Sequence, residues 1–493
     1  MSGRHWTLPA ALGLGRGPEL VAFVGGGGKT SLLFVLAAAL PGRVVITTTT
    51  RIFAAQMRLA PAVVYAADLS RLGELLDSHG RCLVVGHVDG EKARGVDADL
   101  PARLLARPDV DAVLVEADGS RMRPVKAPAD HEPVIPPETT LVVPVAGLDA
   151  LEGPIEAVAH RAELVRRITN YELGIRNEEG RVASGGWRVG ANHQRLTTND
   201  QRPTPPDGWL TAAGLARVLT HPDGGLKGVP AGARVVPFLN KVEGAARLAA
   251  ARTAARLMLR EPRVDRVVLG AARTAQPVGE VWRRVTAVVL AAGESRRMGR
   301  NKLLLPWGET TVLGQTLSNV WASAVHDVVV VTGHEREKVE AVVAQRGRLG
   351  DRADTAENGS KEATQTLYNS DYAKGMLSSV QAAVRALPPT TDAILCVLGD
   401  QPMVGPETID RLLAAYAAAP AGLVAPYAGD RRGNPVLIDR RYFAELLALP
   451  ADAAPRVLLA RYPDDLLAVP VESDAVLHDL DRPEEYECFR PKE

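Results

Sequence analysis

The chain has 493 residues, 46% of them hydrophobic, and its 58 basic side chains balance 58 acidic ones. That length exceeds one ordinary core, so two or three domains are expected. The balanced charge excludes a chain-wide polyanion-binding surface, and no nucleic-acid partner is expected. No apolar run approaches the roughly 20 residues of a membrane span, so no membrane partner is expected. The opening MSGRHWTLPAALGLG has no charged stretch leading into a long apolar run, so no signal peptide is expected. Cys82, Cys396 and Cys488 lie far apart and form no CxxC pair. That spacing suits a reducing cytoplasm, where the protein is expected.

From residue 19 onward, short Val-rich runs alternate with Ala/Leu-rich helical stretches. The pattern predicts an α/β protein with parallel sheets and helices on both faces. In the first half, strands are expected at 19–24, 43–47, 82–86, 112–117, 140–145, 234–239 and 266–271. The first runs into VGGGGKTS and then the helical SLLFVLAAAL. Gly28, Lys29 and Thr30 fit the second half of a Walker A loop, GxxxxGK[ST], in which Lys reaches the β/γ-phosphates and Thr holds Mg²⁺. Phe23 stands where that motif has its first glycine, so Gly25, Gly26 and Gly27 are expected to supply the turn. Gly25 to Gly28, Lys29, Thr30 and Ser31 are the candidate nucleotide-binding residues of this half.

The run AVLVEADGS ends an apolar strand in acids, and Glu116 or Asp118 is expected to orient Mg²⁺ or water. Residues 116–136 then crowd Asp118, Arg121, Arg123, Lys126, Asp130, His131 and Glu132 among prolines. His131, Glu132 and Asp130 are open either to a structural role or to contact with a metal. NKVE (240–243) is similar to the NKxD base-reading motif of GTPases with Glu for Asp, and equally suits a plain polar strand end. With TTTTRIF (47–53), GGGGKTS and the 116–136 run, the first half resembles the YqeC family over about residues 10–275. Its members are accessory proteins of selenium-dependent molybdenum hydroxylases, so the resemblance implies an apo-molybdenum hydroxylase as partner.

Residues 176–209 are polar and rich in Gly, Asn and Pro, and predict a loop excursion. The expected division is a P-loop-like parallel α/β domain at 1–275, a linker at 276–285 and a second α/β domain at 286–493. In that second domain, strands are expected at 286–291, 327–332, 393–398, 422–427 and 466–471. Residues 346–366 are charged and aperiodic, and predict a surface insertion.

The second domain opens on LAAGESRRMGRNK (290–302). Ala291, Ala292 and Gly293 let the backbone approach a ligand closely. Arg297 and Lys302 set two cations beside those amides, the combination that a triphosphate needs. Asp400, in GDQPM, ends the apolar run AILCVL. A carboxylate there suits Mg²⁺, which takes one or two carboxylates plus phosphate oxygens. Asp481 in LDRPEEY is the natural second carboxylate, with Asp479 the competing choice.

The string LAAGxSxRMGxxK followed by LLLP resembles the molybdenum cofactor nucleotidyltransferases, the MobA/MocA-like group, over about residues 285–489. TGHE (332–335), NSDYAKGMLSSV (369–380), GDQPM (399–403), RRGNPVLI (431–438) and HDLDRPEEY (478–486) follow in the family's order. The resemblance implies a Rossmann-like fold of the nucleotide-diphospho-sugar transferase type. Leu290, Ala291, Ala292, Gly293, Ser295, Gly299 and Lys302 would then bind nucleotide. Lys302, Arg297 and Asp400 would serve transfer, and Asp400 and Asp481 would hold Mg²⁺. Asn369, Gly375, Met376, Ser378 and Asn434 would face the acceptor. The acceptor implied is a molybdopterin-type cofactor, whose terminal phosphate attacks the nucleotide while pyrophosphate leaves. In that family an LAAG loop goes with cytidine enzymes and LAGG with guanosine enzymes, so Ala292 favours CTP over GTP. Two other readings stay open. One is a sugar- or polyol-phosphate acceptor. The other is a P-loop chaperone whose transferase half only binds the modified pterin.

Overall fold

The computed structural model describes residues 4–15, 17–170, 208–353, 364–450 and 453–491. They form two compact units, Arg16–Ala254 and Met1–Gly15 together with Ala255–Glu493. Both units are α/β, as the alternating runs predict.

In the unit Arg16–Ala254, strand Glu19–Gly25 lies between Leu141–Gly147 and Ala112–Glu116. Outward from Ala112–Glu116 come Val44–Thr48, Arg81–Val85 and Val63–Tyr65; outward from Leu141–Gly147 comes Phe238–Asn240. All these pairs are parallel. Leu20, Val21, Ala22 and Phe23 are fully buried, as a strand covered on both faces requires. The expected run 234–239 is two short strands, Arg234–Val235 and Phe238–Asn240. Pro237 lies between them and has no N–H for the ladder.

In the second unit, strand Val285–Ala291 lies between Asp327–Thr332 and Ala393–Leu398, both parallel to it. Gln365–Tyr368 extends the sheet on one side; Val436–Asp439, then Leu423–Ala428, extend it on the other. Val436–Asp439 runs antiparallel to both neighbours, so the sheet is mixed on this side. The chain reverses from Leu423–Ala428 through a tight turn before Arg431–Arg432, a return that only antiparallel strands allow. Two apolar clusters cover the two faces, one containing Leu313, Leu317 and Tyr416, the other Leu377, Val380 and Phe443.

The span expected as a linker, 276–285, carries strand Val278–Trp282, antiparallel to Val267–Gly270. Residues 1–15 also belong to this unit. The Trp6 indole N–H donates to Ala417 O at 2.9 Å, and Leu8, Ala11 and Leu12 are buried. The Arg283 guanidinium lies 5.1 Å from the Trp6 ring and 3.8 Å from the Tyr416 ring, and donates to Asp439 Oδ2 at 2.8 Å. The compact units therefore part at Ala254/Ala255, not across 276–285.

Of the expected surface insertion at 346–366, residues up to 353 continue helix Arg336–Ala353. Residues 354–363 lie outside the described residues, as do 171–207, where most of the expected excursion at 176–209 falls.

Candidate functional site

Three parallel strands of the second unit end level, with Ala291 opposite Thr332 and Leu290 opposite Leu398. Sheets of this kind gather ligand-binding groups at that edge. The Gly399 N–H donates to Leu290 O at 3.1 Å, and a Cβ on Gly399 would lie 2.8 Å from that oxygen, so only glycine fits. In the loop after Ala291, Ser295 and Gly299 have φ of 51° and 67°, bracketing the single turn Arg296–Met298. Ser295 Oγ accepts from the Lys302 N–H at 3.2 Å, and Asn301 Oδ1 accepts from the Leu303 N–H at 3.1 Å. These contacts fix where Lys302 leaves the loop.

Lys302 Nζ donates to Asp481 Oδ1 at 2.7 Å and pairs with Asp400. Arg297 donates to Asp481 Oδ2, also at 2.7 Å. Carboxylate oxygens of Asp400, Asp479 and Asp481 lie within 4.8 Å of one another, so both choices for the second carboxylate meet Asp400. Burial alone would lower the Lys302 amine, but Asp400 and Asp481 outweigh it and hold the pKa above the ordinary lysine value. The hydrogen bond from Lys302 holds Asp481 below the usual carboxylate range. Burial, then repulsion from Asp400 and Asp481, pushes Asp479 up.

The expected acceptor residues reach the same sheet edge. The Asn369 N–H donates to Thr332 O at 2.9 Å, and its buried Nδ2 donates to Ser378 Oγ at 2.9 Å and Ser379 Oγ at 3.0 Å. Gly375, with φ of 108°, opens helix Met376–Ala386, and Met376 is exposed. The Asn434 N–H donates to Val476 O at 2.9 Å. Asn434 precedes an antiparallel strand that starts opposite Cys396, which brings it to this edge too. Sequence reasoning missed Glu485, which accepts from the N–H groups of Asp481 and Arg482 at 2.8 and 2.9 Å and so fixes Asp481. Its signal was a glutamate at the third position of a helix beginning Pro483.

In the first unit, the glycine loop follows strand Glu19–Gly25 and precedes helix Lys29–Ala39. Its N–H groups point largely at protein. Gly25 donates to the Asp118 carboxylate at 3.1 Å, Gly26 to Val145 O at 2.8 Å and Gly27 to Arg123 O at 3.0 Å. The N–H groups of the helix's first turn have no partner within the helix, as at any helix start. Lys29 is buried; its Nζ bonds Gly25 O and lies 3.2 Å from Asp118 Oδ1. Thr30 Oγ1 donates to Glu116 Oε2 at 2.8 Å. Burial raises the Glu116 carboxyl, against the opposing pull of Lys29. The two acids thus divide: Glu116 meets Thr30, Asp118 meets Lys29.

Two further residues of this site escaped the sequence reading of their roles. Lys126 is buried and joins Asp118 at 3.0 Å, Glu132 at 2.7 Å and Gly119 O at 2.7 Å. Its signal was a lysine inside the apolar run PVKAP. Asn240 Nδ2 donates to Gly27 O at 2.7 Å, so NKVE braces the glycine loop here. Glu132 pairs with Lys126 and Arg161, while His131 is exposed and makes no side-chain bond among the described residues.

Gly27 carries a stability prediction. Its φ is 68°, and a Cβ would lie 2.0 Å from Gly147 N. Gly27→Ala is expected to destabilise this unit by about 2 kcal/mol or more, from left-handed strain plus overpacking. Denaturant unfolding of the full chain checks this.

A small-residue loop, two cations and three carboxylates on one edge of a Rossmann-like sheet make the second unit a nucleotidyltransferase domain. Comparison with known proteins agrees. The MobA-like NTP transferase domain matches residues 287–466, and the YqeC protein family matches residues 21–163. Over 240 residues the chain is 33% identical to the uncharacterized protein YqeC of Escherichia coli (strain K12), covering 48% of this chain and 80% of that one. Over 202 residues it is 25% identical to the molybdenum cofactor cytidylyltransferase of the same strain, covering 41% and 93%. Over 205 residues it is 31% identical to the purine catabolism protein PucB of Bacillus subtilis (strain 168), covering 41% and 94%. The chain belongs to the YqeC family in its first half and to the MobA-like NTP transferases in its second.

Proposed function

We propose that the second unit transfers CMP from CTP to the terminal phosphate of molybdopterin or its molybdenum form. The observation that carries this is Lys302 bridging Asp400 and Asp481 at the mouth of the Leu290–Gly293 loop. An oxygen of the acceptor phosphate attacks the α-phosphorus, the bond to the β-phosphate breaks, and pyrophosphate leaves. Amides of the loop and the charges of Lys302 and Arg297 hold and neutralise the triphosphate, while Asn369, Gly375, Met376, Ser378 and Asn434 position the acceptor. Catalysis on this reading is positioning plus electrostatics.

Three carboxylates with oxygens within 4.8 Å suit a hard, oxygen-ligated cation. Asp400 and Asp481, with Asp479 beside them, would hold Mg²⁺, which supplies charge neutralisation on the phosphate oxygens when bound. Fixed by Glu485, Asp481 also keeps Arg297 at the site.

CTP is favoured by Ala292 and by the similarity to a cytidylyltransferase. Ala292 is buried, and a Cβ on Gly333 would lie 2.8 Å from the Ala292 Cβ, so the methyl shapes that wall. Ala292→Gly is expected to shift the CTP/GTP preference toward GTP by about tenfold, the scale of one methyl group in a pocket. Unchanged discrimination in competing-substrate assays would place base choice elsewhere.

The first unit is read as a nucleotide-binding accessory module, with Gly28 to Ser31 and Lys29 on the phosphates. It serves maturation of an apo-molybdenum hydroxylase in the cytoplasm, where Cys82, Cys396 and Cys488 stay free thiols. No helix among the described residues is long and apolar enough to cross a membrane. The deciding experiment incubates the full chain with labelled CTP or GTP and molybdopterin, with and without molybdenum, and weighs the product. GTP product or a sugar-phosphate acceptor would replace this reading.

A further inference from the structure

Residues 116–126 cross the glycine loop of the first unit, and most cations around it are paired. Lys29 pairs with Asp118, Lys126 with Asp118 and Glu132, and Arg161 with Glu132. Arg121 and Arg123 differ. Both are exposed, and neither guanidinium makes a hydrogen bond or ion pair among the described residues.

The two arginines sit on one tight turn, closed by the Arg123 N–H donating to Ser120 O at 3.0 Å. Its central residues, Arg121 and Met122, have φ of 49° and 64°. Two successive left-handed residues are the geometry that Asn and Gly favour, and it strains a residue such as Arg or Met, whose Cβ crowds the following carbonyl oxygen. Met122 is 91% exposed, so burial of its side chain does not offset that strain. The glycine loop and the end of strand Leu141–Gly147 hold the turn instead. Gly27 donates to Arg123 O at 3.0 Å, Gly147 donates to Pro124 O at 2.9 Å, and a Cβ on Gly26 would lie 2.6 Å from Arg123 O. Strain over-determined by its surroundings collects at ligand sites. Burial lowers the His160 pKa, and the charges of Arg161, Lys126 and Arg121 lower it further, against the opposing pull of Glu132.

We propose that the turn Ser120–Pro124 is the anion-reading arm of this site, with Arg121 and Arg123 binding the distal phosphates of a nucleoside triphosphate seated at the glycine loop. Guanidinium forks match phosphate oxygens bidentately, and among the described residues no carboxylate neutralises either of these two. The proposal rests on reading the loop as a triphosphate site.

The test titrates the full chain with ATP, GTP and inorganic tripolyphosphate, counting only the binding that Lys29→Ala removes. Arg121→Ala/Arg123→Ala is expected to weaken all three at least about tenfold, as losing charged hydrogen bonds does. Its melting temperature should match wild type, because both side chains are exposed and unpaired. The double Lys variant should recover part of the affinity. Met122→Gly, which suits φ of 64° and keeps both guanidiniums, should lose less than the double Ala variant. Wild-type affinity in the double Ala variant, with Lys29-dependent binding intact, overturns the arm alone. If wild type shows no Lys29-dependent binding of ATP, GTP or tripolyphosphate, the triphosphate reading fails and the arm falls with it.

Discussion

Asp400→Asn is expected to lower nucleotidyl transfer at least about 100-fold, the scale of losing one preorganised electrostatic group. Asp400 lies two residues beyond the buried strand Ala393–Leu398, is itself nearly buried, and shares the Lys302 amine with Asp481. Asparagine keeps the shape but removes the charge that would hold Mg²⁺. The fold should survive. The Asp400 backbone O still accepts from Leu480 N–H, and Lys302 still has Asp481 as a partner. The measurement is transfer rate against Mg²⁺ concentration, beside thermal unfolding of the same sample. Wild-type turnover would remove Asp400 from the mechanism; a collapsed melting temperature would make it a structural residue.

What the sequence carries of this site is the part written in local chemistry. LAAG, the lone lysine twelve residues on and the acid ending AILCVL each state a role by their neighbours, and the sheet brings them to one edge. The twelve apolar runs likewise locate strands, because a buried parallel strand has few other ways to read. What is not legible is set by long-range contact. Val436–Asp439 reads as a motif tail, since nothing local says that it reverses direction between two other strands. Val63–Tyr65 is too short to carry a period. Trp6 gives no hint that it meets Ala417, nor Arg283 that it lies between two rings and Asp439. The four glycines of GGGGKT read as a flexible cradle. Their packing shows another need: Val145 O, Arg123 O, Gly147 N and Asn240 Nδ2 all approach where a Cβ would stand.

Lys29→Ala is expected to abolish nucleotide binding by the first unit, by more than about 100-fold, while transfer by the second continues. Lys29 opens the helix after the glycine loop and supplies a cation that also bonds the loop's own Gly25 O. Amides alone replace such a charge poorly, and Gly25, Gly26 and Gly27 already spend theirs on Asp118, Val145 and Arg123. Removing one partner of a buried ion pair commonly costs about 3–5 kcal/mol. Here Asp118 keeps Lys126 at 3.0 Å and the Gly25 N–H at 3.1 Å, so the loss should be smaller and the unit should stay folded. Independence of transfer follows from the division at Ala254/Ala255, which leaves Lys302, Asp400 and Asp481 in the other unit. That division also dictates the sample. A piece beginning at residue 286 would lack Trp6, Leu8, Leu12 and Arg283, so the full chain must be used. Binding of ATP and GTP, CMP transfer and unfolding are measured together on wild type and variant. Lost transfer in a folded variant would mean that the two sites are coupled, and retained binding would make GGGGKT a packing turn with a structural lysine.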